Sequence, residues 1–212
     1  SFEADGTGGW SISSNDRTNT EAFTGKKCYD LSKGNITKTG LNSSKTYWLN
    51  YWAKTGASVS VTNTAETKQG ITQNNWTLWT KKITGTTNIT ISGTGSIDEL
   101  RIHPDKSQMK SSTYIVGIGM SSQVDANNNV TLYEYDELNR LKLMRDGNRN
   151  ILKQYCYNYA GAPVNCDGIL FGNTAVGKIF KKQCTPGYFG SEVKYNIPAN
   201  KYTSIINQWG AD

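Results

Sequence analysis

The chain predicts an all-β protein: a β-sandwich or jelly roll, then antiparallel strands of a short repeat, then a small β-rich C-terminal unit. Three observations carry this. Residues 1–103 hold about eight short runs rich in aromatic and β-branched residues, separated by Gly, Asn, Ser and Lys clusters, the spacing of a two-sheet fold. Residues 130–159 alternate apolar and polar side chains in runs of about five to seven, broken at 136–140 and 146–150. No segment sustains a helical period.

Composition sets the bounds. The 212 residues allow one large domain or two to three small ones. Net charge is +6, with 19% charged residues. The doublets Lys26-Lys27, Lys81-Lys82 and Lys181-Lys182 are scattered, which reads as a solvated surface rather than a nucleic-acid site. Abundant Thr, Asn, Ser and Gly with only 4 Pro suits extracellular β-structure. No run of 18 apolar residues occurs, so direct membrane insertion is not expected. The sequence starts inside its first expected strand, as in a mature or excised fragment.

In the first unit, strands are expected near residues 10–13, 27–31, 35–39, 46–53, 58–63, 77–83, 88–92 and 96–103. Alternation divides the aromatic run: Tyr47, Leu49 and Tyr51 share one face, Trp48, Asn50 and Trp52 the other. One face of a sandwich sheet must be core, so at least half of these rings are packing residues. Trp10, Tyr51 and Trp79 are the candidates for an exposed, ligand-stacking surface.

The runs SFEADGTGGW, FTGKKCYDL, KTYWLNYWAKTG, NNWTLWTKKI and GSIDELRIHP stand in that order. The ordered set resembles the galactose-binding-like jelly roll of carbohydrate-binding modules. Its matching features are Phe2-Glu3 followed by Trp10, the Thr24-Gly25-Lys26 loop, residues 47–54, Trp76 and Ile97-Asp98-Glu99-Leu100. The resemblance implies a surface glycan as partner. It also implies a structural Ca²⁺ held by Glu3, Asp98 and carbonyls of residues 24–27, an oxygen set of the kind that cation takes. The alternative is that Glu3 and Asp98 bridge the chain ends without metal.

Residues 104–168 form the second unit. Residues 104–112 read as a linker or a strand leading into it. Tyr114 and Tyr135 stand 21 positions apart (135 − 114), as do Met120 and Leu141, Asp125 and Asp146, and Asn127 and Asn148. A fixed period marks units that pair with their neighbours to bury one face. Asp146-Gly147 signals a hairpin, with glycine expected to supply positive φ. Tyr133, Tyr135, Asp136, Leu138, Arg140, Leu141 and Asp146-Gly147-Asn148 resemble the YD repeat of bacterial Rhs-type surface and toxin proteins. That family builds spiralling β-sheet shells or shafts, for which two units are too few to close a shell.

Cys156 and Cys166 flank a turn with Gly161 and Pro163, so a disulfide there closes a short loop at small entropic cost. Cys184 is the alternative partner. The spacings do not suit zinc. Residues 169–212 form the third unit, with strands expected at 177–182 and 191–197, a strand or turn at 201–204 and a helix starting at Ser204. Asn173, Phe180, Cys184, Gly187, Gly190, Val193, Tyr195, Pro198, Tyr202, Ser204, Gln208, Ala211 and Asp212 resemble a small domain of unknown function found in large secreted proteins of Gram-negative bacteria. About 40 residues cannot build a large core alone.

No catalytic constellation is recognisable. His103, the one histidine, stands before Pro104 at a strand end. The acid pairs Asp98-Glu99 and Asp136-Glu137 are sequence neighbours, expected to point to opposite strand faces. Together the three resemblances imply a non-catalytic module of a large secreted bacterial surface protein, exported across an outer membrane by the type IX route. It is glycan-binding or adhesive, or else a structural spacer or the carrier part of an Rhs-like toxin. Its partners would be a surface glycan and other parts of a large assembly.

Overall fold

The computed structural model describes residues 2–3, 7–12, 17–18, 21–157, 176–181 and 192–197. The chain divides into two compact units, Ser1–Tyr155 and Cys156–Asp212. The architecture is all-β and antiparallel.

The first unit opens with β1 (Ser11–Ile12), β2 (Arg17–Thr18), β3 (Cys28–Asp30), a 3₁₀ turn at Leu31–Lys33 and β4 (Ile36–Thr39). There follow β5 (Tyr47–Lys54), β6 (Ser58–Val61), β7 (Thr64–Gln73), β8 (Trp76–Ile83), β9 (Asn88–Thr94) and β10 (Ser96–Pro104). Two sheets result, in the orders β1-β4-β9-β6 and β2-β3-β10-β5-β8-β7. The spine is β5 against β8, eight continuous pairs from Tyr47↔Ile83 to Lys54↔Trp76. Between the sheets lie Tyr29, Ile36, Leu49, Tyr51, Ile83, Ile89, Ile91 and Ile97, all at most 1% exposed.

The expected strands of this unit are present, with ends shifted by a residue or two. The two-residue β2 was not expected, and neither was β7. Its ten residues, TAETKQGITQ, carry no apolar alternation because nearly all of them are exposed. It is an edge strand, and its charges, Gly70 and two register irregularities suit an edge that must not recruit another sheet.

Next come β11 (Ser111–Ile115), β12 (Gly119–Val124), β13 (Val130–Tyr135), β14 (Leu141–Asp146) and β15 (Ile151–Gln154), a five-stranded meander. It does not stand apart from the sandwich. Val124, Val130 and Leu132 pack with Phe23, Cys28, Trp52, Trp76 and Leu78 in a second core. The Phe23 ring lies tilted against Trp52 and Trp76, with centroids 4.1 Å and 6.0 Å away. Both faces of the six-stranded sheet are thus buried over part of their area. That is why Tyr51 and Trp52, neighbours on opposite faces, are both inaccessible.

The 21-residue period resolves into half-units of one strand and one five-residue loop. Asp125, Asp136 and Asp146 each open such a loop. Each side-chain Oδ1 accepts the amides two and four residues on, at 2.8–2.9 Å. Each Oδ2 accepts a side-chain donor from the fifth residue: Asn129, Arg140 or Asn150. The fourth residue, Asn128, Asn139 or Arg149, takes the left-handed conformation. This corrects the expectation for Gly147, whose φ is not positive. The amide end of Gln73 occupies the space a Cβ would take, with Oε1 2.1 Å from that position, where the loop meets the end of β7.

In the second unit, β16 (Val176–Lys181) pairs antiparallel with β17 (Glu192–Ile197) over six residues. The strand or turn expected at 201–204 and the helix at Ser204 lie outside the described residues.

Candidate functional site

Glu3 and Asp98 both reach the 24–27 loop. Glu3 Oε1 accepts the amides of Lys26 (2.7 Å) and Lys27 (2.5 Å). Asp98 Oδ2 accepts the Thr24 amide (3.0 Å), and its Oδ1 the Glu99 amide (2.7 Å). The 24–27 loop therefore turns N–H donors toward these carboxylates, where Ca²⁺ requires carbonyl oxygens. Among the described residues no three His, Cys, Asp or Glu side chains converge. Both carboxylates hold amides of the N-terminal loop, as in the bridge between chain ends.

The acid pair beside it departs from strand alternation. A register shift between Asp98 and Arg101, with Glu99 at φ 50°, brings both acids into one buried cluster. Glu99 Oε1 accepts the Thr24 hydroxyl at 2.5 Å, and its Oε2 accepts the Ser111 hydroxyl. Asp98 is fully buried. Burial, and then the Glu99 charge, push its carboxyl up to about 7, against the lowering effect of the Thr24 amide. The pair ties the N-terminal loop and the start of β11 to β10. Next to it Arg101, 3% exposed, donates to Met109 O and Asp125 O (3.2 Å each) and to Asn128 Oδ1.

The three expected surface aromatics do not form one platform. Tyr51 is 1% exposed, which corrects its reading as a surface residue. Trp79 is half-buried and pairs directly with Tyr51. The two line a slot of about 200 Å³ with Ala53, Ala57, Val59 and Lys81. Burial lowers the Lys81 pKa, and its ammonium donates to Thr67 Oγ1 (3.2 Å). Trp10 lies by β1 with Lys38 over its ring at 5.9 Å.

A half-exposed aromatic that alternation had set aside is Trp48. It lies on the outward face of β5, beyond the part covered by the meander core. Its ring is half-exposed, with Lys68 Nζ at 5.6 Å and Lys82 Nζ at 5.8 Å from the ring centroid. Its Nε1 donates to Asp105 Oδ1 (2.9 Å), which fixes the ring and holds the Asp105 pKa low; the Lys106 amide and the charges of Lys106 and Lys82 add to this. Beside it runs a polar row: the Thr80 hydroxyl donates to Asn50 Oδ1 (2.7 Å), and the Asn50 amide meets His103 Nε2 (3.4 Å). A half-exposed indole, two cations and a hydrogen-bonding floor therefore share one face. The signal was available: Trp48, Asn50, Thr80 and Lys82 share the phase opposite to the core residues Leu49 and Tyr51.

Residues 171–212 match DUF5977, a family of unknown function. No curated protein matches the chain. Strands β16 and β17 fall inside the DUF5977 segment. Just ahead of it, Cys156 is disulfide-bonded. Its candidate partners Cys166 and Cys184 lie outside the described residues. Cys28 is a buried thiol of the second core.

Proposed function

We propose that the chain is a non-catalytic, saccharide-binding module of a large secreted bacterial surface protein, built from a carbohydrate-binding-type sandwich, YD-type strands and the DUF5977 segment. The supporting observation is the Trp48 face. An indole presents an apolar surface to the C–H face of a pyranose, while the lysines and the Thr80–Asn50–His103 row stand beside it as hydrogen-bonding groups. Stacking plus a few solvent-exchanged hydrogen bonds gives modest affinity, with Kd of about 10 µM to 1 mM. The metal-free clasp is favoured over a structural calcium, so a chelator should leave the melting temperature unchanged; a lowered one would restore the cation.

The test is titration of the full chain with a panel of soluble oligosaccharides, followed by isothermal calorimetry. The reading expects saturable binding to at least one sugar, weakened about tenfold or more by Trp48→Ala. Binding that survives Trp48→Ala but is lost in Trp79→Ala would move the site to the slot. No binding to any sugar would favour the second reading, a structural spacer. That reading draws on the burial of Trp52, Trp76, Tyr29 and Tyr51 in the two cores, which leaves few aromatic rings for ligand.

A further inference from the structure

Where the N-terminal loop faces the meander there is a cleft. Its outer part, about 780 Å³, runs between Glu3, Lys26 and Lys27 and the hairpin tip at Tyr114–Val116. Its inner part, about 160 Å³, continues from the same Glu3, Lys26 and Tyr114 to Tyr133, Glu134 and Arg149. Tyr114 is 64% exposed. The loop wall is held in place, because Glu3 takes the Lys26 and Lys27 amides and packs where a Cβ on Gly25 would otherwise lie.

Arg149 is out of character for its position. The two earlier loops of the repeat place Asn128 and Asn139 at the left-handed residue, a conformation asparagine tolerates far better than arginine. The third loop places Arg149 there at φ 69° and directs its side chain to the cleft. A residue held against local preference is a pointer to function. The charges agree. Glu134 is bound by Arg145 (2.6 Å), and Glu3 is occupied by backbone amides. Among the described residues neither Arg149 nor Lys26 is in an ion pair. The acids of the cleft are engaged and these two bases are not.

We infer that this cleft is a second binding site, for a carboxylated saccharide. The guanidinium of Arg149 takes the carboxylate in bidentate fashion, Lys26 adds charge, and the sugar ring lies on Tyr114 with Tyr133 behind it. The site is separate from the Trp48 face and does not depend on it.

The probe is tetragalacturonate, with its methyl ester as the uncharged control, titrated into the full chain by NMR. Saturable binding is expected for the acid, at least about tenfold weaker for the ester and weaker in higher salt. Arg149→Asn restores the asparagine of the other two loops, so the fold is kept while binding falls about tenfold or more. Tyr114→Ala, at an exposed position, should do the same, and Trp48→Ala should leave tetragalacturonate binding intact. Equal affinity for acid and ester, undiminished binding in both Arg149→Asn and Tyr114→Ala, or no saturation up to about 10 mM would overturn the assignment.

Discussion

Single residues hold the first unit together more than its composition suggests. Arg101 is a guanidinium with almost no exposure whose donors end on two carbonyls and an asparagine of the meander. Truncating it leaves buried acceptors unpaired, so Arg101→Ala should cost roughly 3 kcal/mol in urea unfolding; a loss below about 1 kcal/mol would show the tie to be ornamental. Asp98 makes a pH prediction. Its folded pKa is raised above the ordinary carboxylate value, to about 7. Between about pH 4 and 7 the folded chain therefore keeps a proton that the unfolded chain has released, and stability falls as pH rises through that window. Asp125 is lowered: burial opposes, but the Asn129 and Asn127 bonds and the Arg101 charge outweigh it. Asp136 is lowered by the Arg140 amide first, then by the Arg140 side chain and Leu138 amide against burial. Both lose their contribution as pH falls below the carboxylate range. Asp98→Asn should flatten the slope of unfolding free energy between pH 4 and 7; an unchanged slope would contradict the assignment. Little of this was legible in sequence. Alternation sends Asp98 and Glu99 to opposite faces, and only the bulge, which no local pattern announces, puts them together.

At the scale of elements, legibility follows burial. Strands with one buried face, such as β5 and β8, print that face into alternation, and their positions were readable to within a residue or two. β7 buries almost nothing and leaves no pattern. The repeat was legible as a 21-residue period but not as half-units, because its chemistry resides in one aspartate per loop while the strands between differ. Those aspartates give a clean expectation. Asp136 accepts two backbone amides and the Arg140 side chain in a loop exposed at Leu138. Asp136→Ala should lower the melting temperature measurably, whereas Leu138→Ser, at a 66% exposed tip, should be near neutral. Thermal unfolding of the two variants checks the contrast, and equal losses would refute it.

At the scale of the molecule, sandwich and meander share a core, in keeping with the short connection between them at 102–109. Periodicity reports that a face is buried, not what covers it, so Trp52 and Tyr51 on opposite faces could not both be placed. The shared core also moved the open aromatic surface to Trp48. Lys106 and Lys110 are exposed, yet native trypsin treatment should release no separable halves, given the Arg101 and Glu99 ties across that junction; two stable fragments would contradict a common core. The saccharide-binding reading is tested most directly at the indole N–H signals of the 6 tryptophans in a ¹⁵N-labelled full chain during sugar titration. A saturable shift of the Trp48 signal, with the buried Trp52 and Trp76 signals still, is the expected result. A full panel of sugars that leaves Trp48 unmoved, or moves only other tryptophans, would contradict it.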